Sequence, residues 1–253
     1  MTVTIGVSLK MYFGLARAAA WCADVARLAA LHPGVTDGAV ELFVAPTYLQ
    51  VPAAVATFAG TRVRVAVQDV AADDAGPFTG EVGAAEAAEA GVGLAEVGHA
   101  ERRRLFHETD DVVARKAAAA LRHGLTPVVC VGEEDRTTPQ QAARETLDQL
   151  GRSTRGVPDG GLVVAYEPVW AIGAPLPAPA GHIRAVAGAL GDGLRSDPAR
   201  QGSRVLYGGS AGPGLLTALG TAVDGLFLGR FAHDVGALET VLDEARSLAG
   251  ARA

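Results

Sequence analysis

Ala165-Tyr166-Glu167-Pro168-Val169-Trp170-Ala171-Ile172-Gly173 joins the end of an apolar run to a carboxylate, and the carboxylate to an apolar loop. The run, Gly161-Leu162-Val163-Val164-Ala165-Tyr166, follows the turn residues Val157-Pro158-Asp159-Gly160. That pattern predicts a short strand buried on both faces, with Glu167 at its C-terminal tip. Pro168 has no N–H to give to a sheet, so the strand ends there. Residues 169–173 are too apolar for a loop held permanently in water, which predicts a lid that closes over a site and expels solvent. Under such a lid Glu167 is the first choice for a catalytic base. The plainer alternative is that Glu167 caps or ion-pairs a strand end while Trp170 packs in a surface cluster.

The same strand-then-helix unit recurs on both sides of this stretch. Before it, strands are predicted over 3–8, 41–45, 63–67, 92–98 and 127–132, followed by helices over 15–31, 49–58, 83–90, 111–122 and 139–150. After it come a helix over 181–194, a strand over 204–207, a short helix over 214–219, a strand over 225–228 and a last helix over 235–248. Short β-branched runs alternating with helical patterns imply parallel strands joined by right-handed crossovers, and eight such units close as a (β/α)8 barrel. An open doubly wound sheet competes, but it usually carries a glycine fingerprint after its first strand, and Ile5-Gly6-Val7-Ser8-Leu9-Lys10 has none. The 253 residues suit one α/β barrel domain across positions 1–253.

A net charge of −6, with no basic patch or charge block, argues against nucleic acid and anionic membrane as partners and for small-molecule chemistry. Met1-Thr2-Val3-Thr4-Ile5 lacks a basic start and cleavage site, and no apolar span reaches membrane length, so a cytoplasmic protein is expected. Cys22 falls in a helical pattern and Cys130 in a strand, which suggests no disulfide framework. Lysine occurs only at 10 and 116 in a chain otherwise rich in arginine, so its retention at 10 is mildly informative.

In a barrel of this kind the site lies at the C-terminal ends of the strands. Ser8, Lys10, Gln68, His99, Glu133, Glu167, Ser210 and Gly229 are therefore expected to ring one mouth. His99 would face Glu167 across it. A lone histidine is often structural, but one beside a helix N-terminus is held neutral by the oriented N–H groups, and a carboxylate opposite a neutral imidazole suits proton transfer. Lys10 could stabilise an enolate-like oxygen or a bound anion, or pair with Glu101, and the two roles are compatible. Tyr207-Gly208-Gly209-Ser210-Ala211-Gly212 and Leu228-Gly229-Arg230 follow strands seven and eight, the common phosphate site of the fold, where glycines let backbone N–H groups approach an anion.

Pro77-Phe78-Thr79-Gly80-Glu81, Gly98-His99-Ala100-Glu101-Arg102-Arg103, Cys130-Val131-Gly132-Glu133, the 165–173 stretch, residues 207–210 and Val223-Asp224-Gly225-Leu226-Phe227-Leu228-Gly229 together resemble triosephosphate isomerase over essentially the whole chain. That family is a standard example of glutamate base, neutral histidine electrophile and loop closure. The resemblance implies catalysis by Glu167, His99 and Lys10. It further implies substrate binding by Ser8, Gly173, Ser210, Gly229 and Arg230, and no metal or organic cofactor. A small phosphorylated sugar would be interconverted between glyceraldehyde 3-phosphate and dihydroxyacetone phosphate, as in glycolysis and gluconeogenesis. The implied assembly is a homodimer in which the loop around Phe78-Thr79-Gly80 meets the partner.

Several departures qualify this. Ser8 stands where the family typically has asparagine, Ala100 where it has serine, and Arg230 where it has a second glycine, while Ala174-Pro175-Leu176-Pro177 should stiffen the lid's far hinge. Since these changes touch substrate-facing positions, the same chemistry on a related sugar phosphate such as erythrulose phosphate is an alternative. A non-catalytic barrel that binds a phosphate ligand is a third reading.

Overall fold

The computed structural model describes residues 2–251, and its strands form one closed parallel barrel in sequence order. The strands are β1 (Val3–Ser8), β2 (Val40–Ala45), β3 (Arg64–Val67), β4 (Leu94–Val97), β5 (Thr126–Val131), β6 (Val163–Tyr166), β7 (Arg204–Tyr207) and β8 (Gly225–Leu228). The outer helices are α1 (Leu15–Leu31), α2 (Pro33–Thr36), α3 (Val51–Phe58), α4 (Ala84–Glu89), α5 (Ala100–Phe106), α6 (Asp110–Arg122), α7 (Pro139–Ser153), α8 (Ala180–Ser196), α9 (Leu215–Leu219) and α10 (Val235–Ala251). β8 pairs with β1, Thr4 opposite Gly225, which closes the ring.

The strands read mainly as apolar runs because both of their faces are buried, with Glu41, Arg64, Glu96 and Arg204 as charged exceptions. One face packs against the helices through Val3, Ile5, Val7, Val44, Val65 and Val97, among others. The other fills the barrel with Phe43, Ala45, Ala66, Leu94, Val128, Cys130, Val163, Ala165, Leu206 and Phe227. Phe43 and Phe227 stack across the interior with ring centroids 5.7 Å apart. Gly6 makes room for them, since a Cβ there would lie 2.2 Å from Phe43 Cζ and 2.7 Å from a Phe227 ring carbon.

The end of the barrel away from the predicted mouth is closed by charge. Glu41 accepts from Arg64 at 2.7 Å and from Arg204, and Arg204 also donates to Thr4 Oγ1 at 2.6 Å. Burial opposes ionisation of Glu41, but the two guanidinium groups outweigh it and hold its pKa below the ordinary glutamate value. Cys22 and Cys130 are both free and buried.

Two helices lie outside the predicted set, the four-residue α2 and the longer α5. α5 follows directly on His99, and none of its residues is buried, so it carries no apolar stripe for a periodicity search to find.

Candidate active site

Ser8, Lys10, His99, Glu167, Gly173, Ser210, Gly229 and Arg230 all line a single cavity of about 860 Å³ at the C-terminal ends of the strands. Each is positioned by its element. Glu167 follows β6 directly, its backbone N–H donating to Val131 O at 2.8 Å, and its side chain turns inward over the barrel. Gly208 permits this. A Cβ at that position would sit 2.6 Å from Glu167 Oε1 and 2.7 Å from its Cγ. The first glycine of the Gly-Gly-Ser stretch therefore admits the carboxylate, and its own N–H is spent on Tyr166 O at 2.9 Å.

His99 is the N-cap of α5, and its Nδ1 accepts from the Glu101 backbone N–H at 3.1 Å. A ring that accepts at Nδ1 carries its proton on Nε2 when neutral. Burial, and then the positive charge of Lys10, push the His99 pKa down to about 4, so the ring is neutral near pH 7. Its Nε2 lies 3.4 Å from Glu167 Oε2. That oxygen is buried and has no hydrogen bond among the described residues. Burial, and then the negative charge of Glu96, raise the Glu167 pKa to about 8, while Lys10 acts the other way. A carboxylate made this basic and left unsatisfied beside a neutral N–H donor can take a proton from carbon and hand it back.

Lys10 sits just beyond β1 with φ of 45°, a left-handed conformation unusual for lysine. The Gln68 amide steadies that turn, donating to Lys10 O at 3.1 Å and to Ala45 O at 2.9 Å. The Lys10 ammonium donates to Glu101 Oε1 at 2.7 Å. Burial opposes its charge, but the bond to Glu101 and the nearby carboxylates prevail and hold its pKa above the usual lysine value.

The lid spans Pro168 to Gly173 and is held at both ends. On the near side Trp170 Nε1 donates to Glu133 Oε1 at 3.0 Å, and the Val169 N–H donates to Glu133 O at 2.9 Å. On the far side Ser210 Oγ donates to Ala174 O at 2.7 Å, and an Arg230 guanidinium N–H reaches Gly173 O at 3.4 Å. The lid thus lies against the two loops expected to hold phosphate.

Two residues expected at the mouth do other work. The Glu133 carboxylate is withdrawn behind the lid, where it accepts from Tyr166 Oη at 3.1 and 3.2 Å and from Trp170, and bonds His182 Nε2 at 2.8 Å. Gln68 clamps backbone and does not face the cavity wall. A residue that the strand-end rule passes over lies beneath the site: Glu96, on β4, is 3% exposed and accepts from Ser8 Oγ at 3.1 Å. The signal was available as a charge in the middle of the short run Leu94-Ala95-Glu96-Val97. Among the described residues, no group of three or more His, Cys, Asp or Glu side chains is arranged to hold a metal ion.

A family model described as triosephosphate isomerase matches residues 3–245. An L-erythrulose-1-phosphate isomerase of Pectobacterium atrosepticum is 48% identical over 97% of this chain and 96% of its own length. A second protein of that name, from Rhizobium etli, is 37% identical over 93% of this chain and 89% of its own. The triosephosphate isomerase of Thermus thermophilus is 40% identical over 83% of this chain and 85% of its own. A crystal structure of triosephosphate isomerase from Bartonella henselae superposes with a TM-score of 0.81 at 25% identity, covering 97% of this chain and all of that one.

Proposed function

Since this chain belongs to the triosephosphate isomerase family, we propose that it is a sugar-phosphate isomerase whose preferred substrate is a four-carbon ketose phosphate of the L-erythrulose 1-phosphate kind. The observation that carries the isomerase chemistry is the buried, unsatisfied Glu167 Oε2, 3.4 Å from His99 Nε2. Glu167 removes the proton on a carbon next to the substrate carbonyl. The neutral His99 donates to the oxygen on which charge builds, and Lys10 stabilises the enediolate. Returning the proton to the neighbouring carbon exchanges carbonyl and hydroxyl with no net oxidation. On dihydroxyacetone phosphate this gives an aldose. On L-erythrulose 1-phosphate it moves the carbonyl from C2 to C3 and leaves the terminal CH2OH untouched. Gly173, Ser210, Gly229 and Arg230 hold the phosphate end.

The four-carbon preference is supported by the 48% identity to the Pectobacterium protein across nearly the full length of both chains. Serine at position 8 also leaves more room than a longer side chain would. The second reading, the triose interconversion of glycolysis and gluconeogenesis, is favoured by the family match and by the intact acid–base pair. The chain works as a cytoplasmic homodimer. Exposed apolar side chains at Met11, Tyr12, Leu15 and Phe78, close in sequence to Lys10 or on the loop expected to reach the partner, support that assembly.

A panel of three- to five-carbon sugar phosphates decides between substrates by kcat/KM. The expected result is a four-carbon preference above about tenfold, or about 1.4 kcal/mol. A triose preference of that size overturns the four-carbon reading. If no substrate exchanges a carbon-bound proton with heavy water, the isomerase reading fails altogether.

A further inference from the structure

The floor of the cavity carries a polar pair in an otherwise apolar setting. Ser8 from β1 and Glu96 from β4 meet inside the barrel, at 4% and 3% exposure, among Phe43, Ala45, Leu94 and Phe227. A carboxylate is costly to bury in such surroundings unless it is bonded and used. Glu96 accepts the Ser8 hydroxyl at 3.1 Å, and Ser8 itself lines the cavity. Glu96 also lies close enough to act electrostatically on both Glu167 and Lys10.

The direction of that bond matters. A serine hydroxyl has one proton to give and lone pairs to receive with. When Glu96 is ionised the Ser8 proton is committed downward to it, and Ser8 offers the cavity an acceptor. Around the reacting carbons Lys10, His99 and Arg230 present donors, suited to oxygens that bear or develop negative charge, while the acceptor Glu167 is given over to the carbon-bound proton and Glu101 to Lys10. What these donors leave without a partner is the proton of a substrate hydroxyl that takes no part in the reaction. Dihydroxyacetone phosphate has no such group, because its one free hydroxyl oxygen becomes part of the enediolate. A four-carbon ketose phosphate has one, on the terminal CH2OH.

We propose that the Ser8–Glu96 pair is the specificity element for the fourth carbon, with Ser8 accepting the substrate's terminal hydroxyl and Glu96 acting as a positioning residue that fixes the direction of the Ser8 proton. The proposal rests on the four-carbon reading above. It makes Ser8 a polarity filter as well as a source of space, since a site that accepts the proton of a substrate hydroxyl disfavours the analogue lacking that hydroxyl.

The test compares three substrates: L-erythrulose 1-phosphate, its analogue with a methyl group in place of the terminal hydroxymethyl, and dihydroxyacetone phosphate. In the wild type the methyl analogue should lose at least about tenfold in kcat/KM. Glu96→Leu should lower the four-carbon to three-carbon ratio at least about tenfold and abolish the discrimination against the analogue. Glu96→Gln keeps an oxygen acceptor for Ser8 and should restore the ratio to within about threefold of wild type. Equal turnover of parent and analogue by the wild type overturns the proposal, and needs no variant to fold. So does a Glu96→Leu enzyme that loses activity equally on both natural substrates. A wild type that turns over no four-carbon phosphate overturns the functional reading itself, and this proposal with it.

Discussion

Replacing Gly208 by alanine tests whether the placement of Glu167 limits the reaction. The added Cβ would lie 2.6 Å from Glu167 Oε1, 2.7 Å from Cγ and 3.1 Å from Cδ. Ordinary contacts need roughly 3.5 Å, so the carboxylate must retreat by close to about 1 Å. Gly208 has no positive φ, so alanine brings no backbone strain, and the effect comes through the side-chain contact alone. A displacement of about 1 Å at a reacting group costs on the order of 100-fold in rate, or about 2.7 kcal/mol on the barrier. The expected variant therefore has kcat lowered about 100-fold, KM changed less than about threefold, and an unaltered melting temperature. Steady-state kinetics with the preferred substrate, together with uptake of solvent deuterium at carbon, would measure this. A kcat within about threefold of wild type refutes the reasoning. A raised KM at normal kcat would instead mean that the added methyl displaces the loop after β7 and leaves Glu167 in place.

Other consequences are open to direct measurement. Because Glu167 must be ionised to act and its pKa lies at about 8, kcat/KM should rise with pH through that value, and Glu96→Gln should move the rise to lower pH by removing a neighbouring charge. Glu96 itself, at about 7, sits above the unfolded glutamate value of about 4.3, so the stability it contributes is full below pH about 4.3 and lost as pH rises through about 7. Glu96→Gln should accordingly stabilise the protein by up to about 3 kcal/mol at pH 9 and leave it unchanged at pH 4; equal effects at both values in denaturant titrations would contradict this. Glu133→Leu strands the buried Tyr166 and His182 and the partly buried Trp170, and should cost about 3 kcal/mol, seen as a fall of about 6–12 °C in melting temperature. Ser210→Ala frees the Ala174 carbonyl from its latch and should raise KM several-fold, about 1 kcal/mol, with a smaller change in kcat. Ser8→Asn should shift the substrate ratio toward the triose, and an unchanged ratio would remove Ser8 from the account of specificity.

The alternation of buried runs and helical patterns was enough to count eight units and close them. The barrel rule then took Glu167, His99 and Lys10 to one mouth, because strand ends are fixed by turns and prolines that a sequence displays. What a sequence does not display is where a strand-end side chain points. Glu133 and Gln68 satisfy the same rule, yet one anchors the lid from behind and the other clamps main-chain carbonyls. α5 escaped detection for a different reason. Its Ala100-Glu101-Arg102-Arg103-Arg104-Leu105-Phe106 buries nothing, and its start is set by the His99 side chain. Glu96 was hidden by context: only closure of the barrel turns a charged residue in a four-residue strand into the floor of a cavity.

Lysine is among the most conformationally free of side chains, and in most proteins an ammonium group must be recruited to its target as the ligand arrives. At position 10 the fold itself makes that placement, with the main chain bent through φ of 45° under the Gln68 amide and the nitrogen moored to Glu101 at 2.7 Å. The ordering is carried by the fold, and so it is the same for any guest that enters. A cation that stands still for every substrate leaves the floor beneath it as the place where one guest can be told from another.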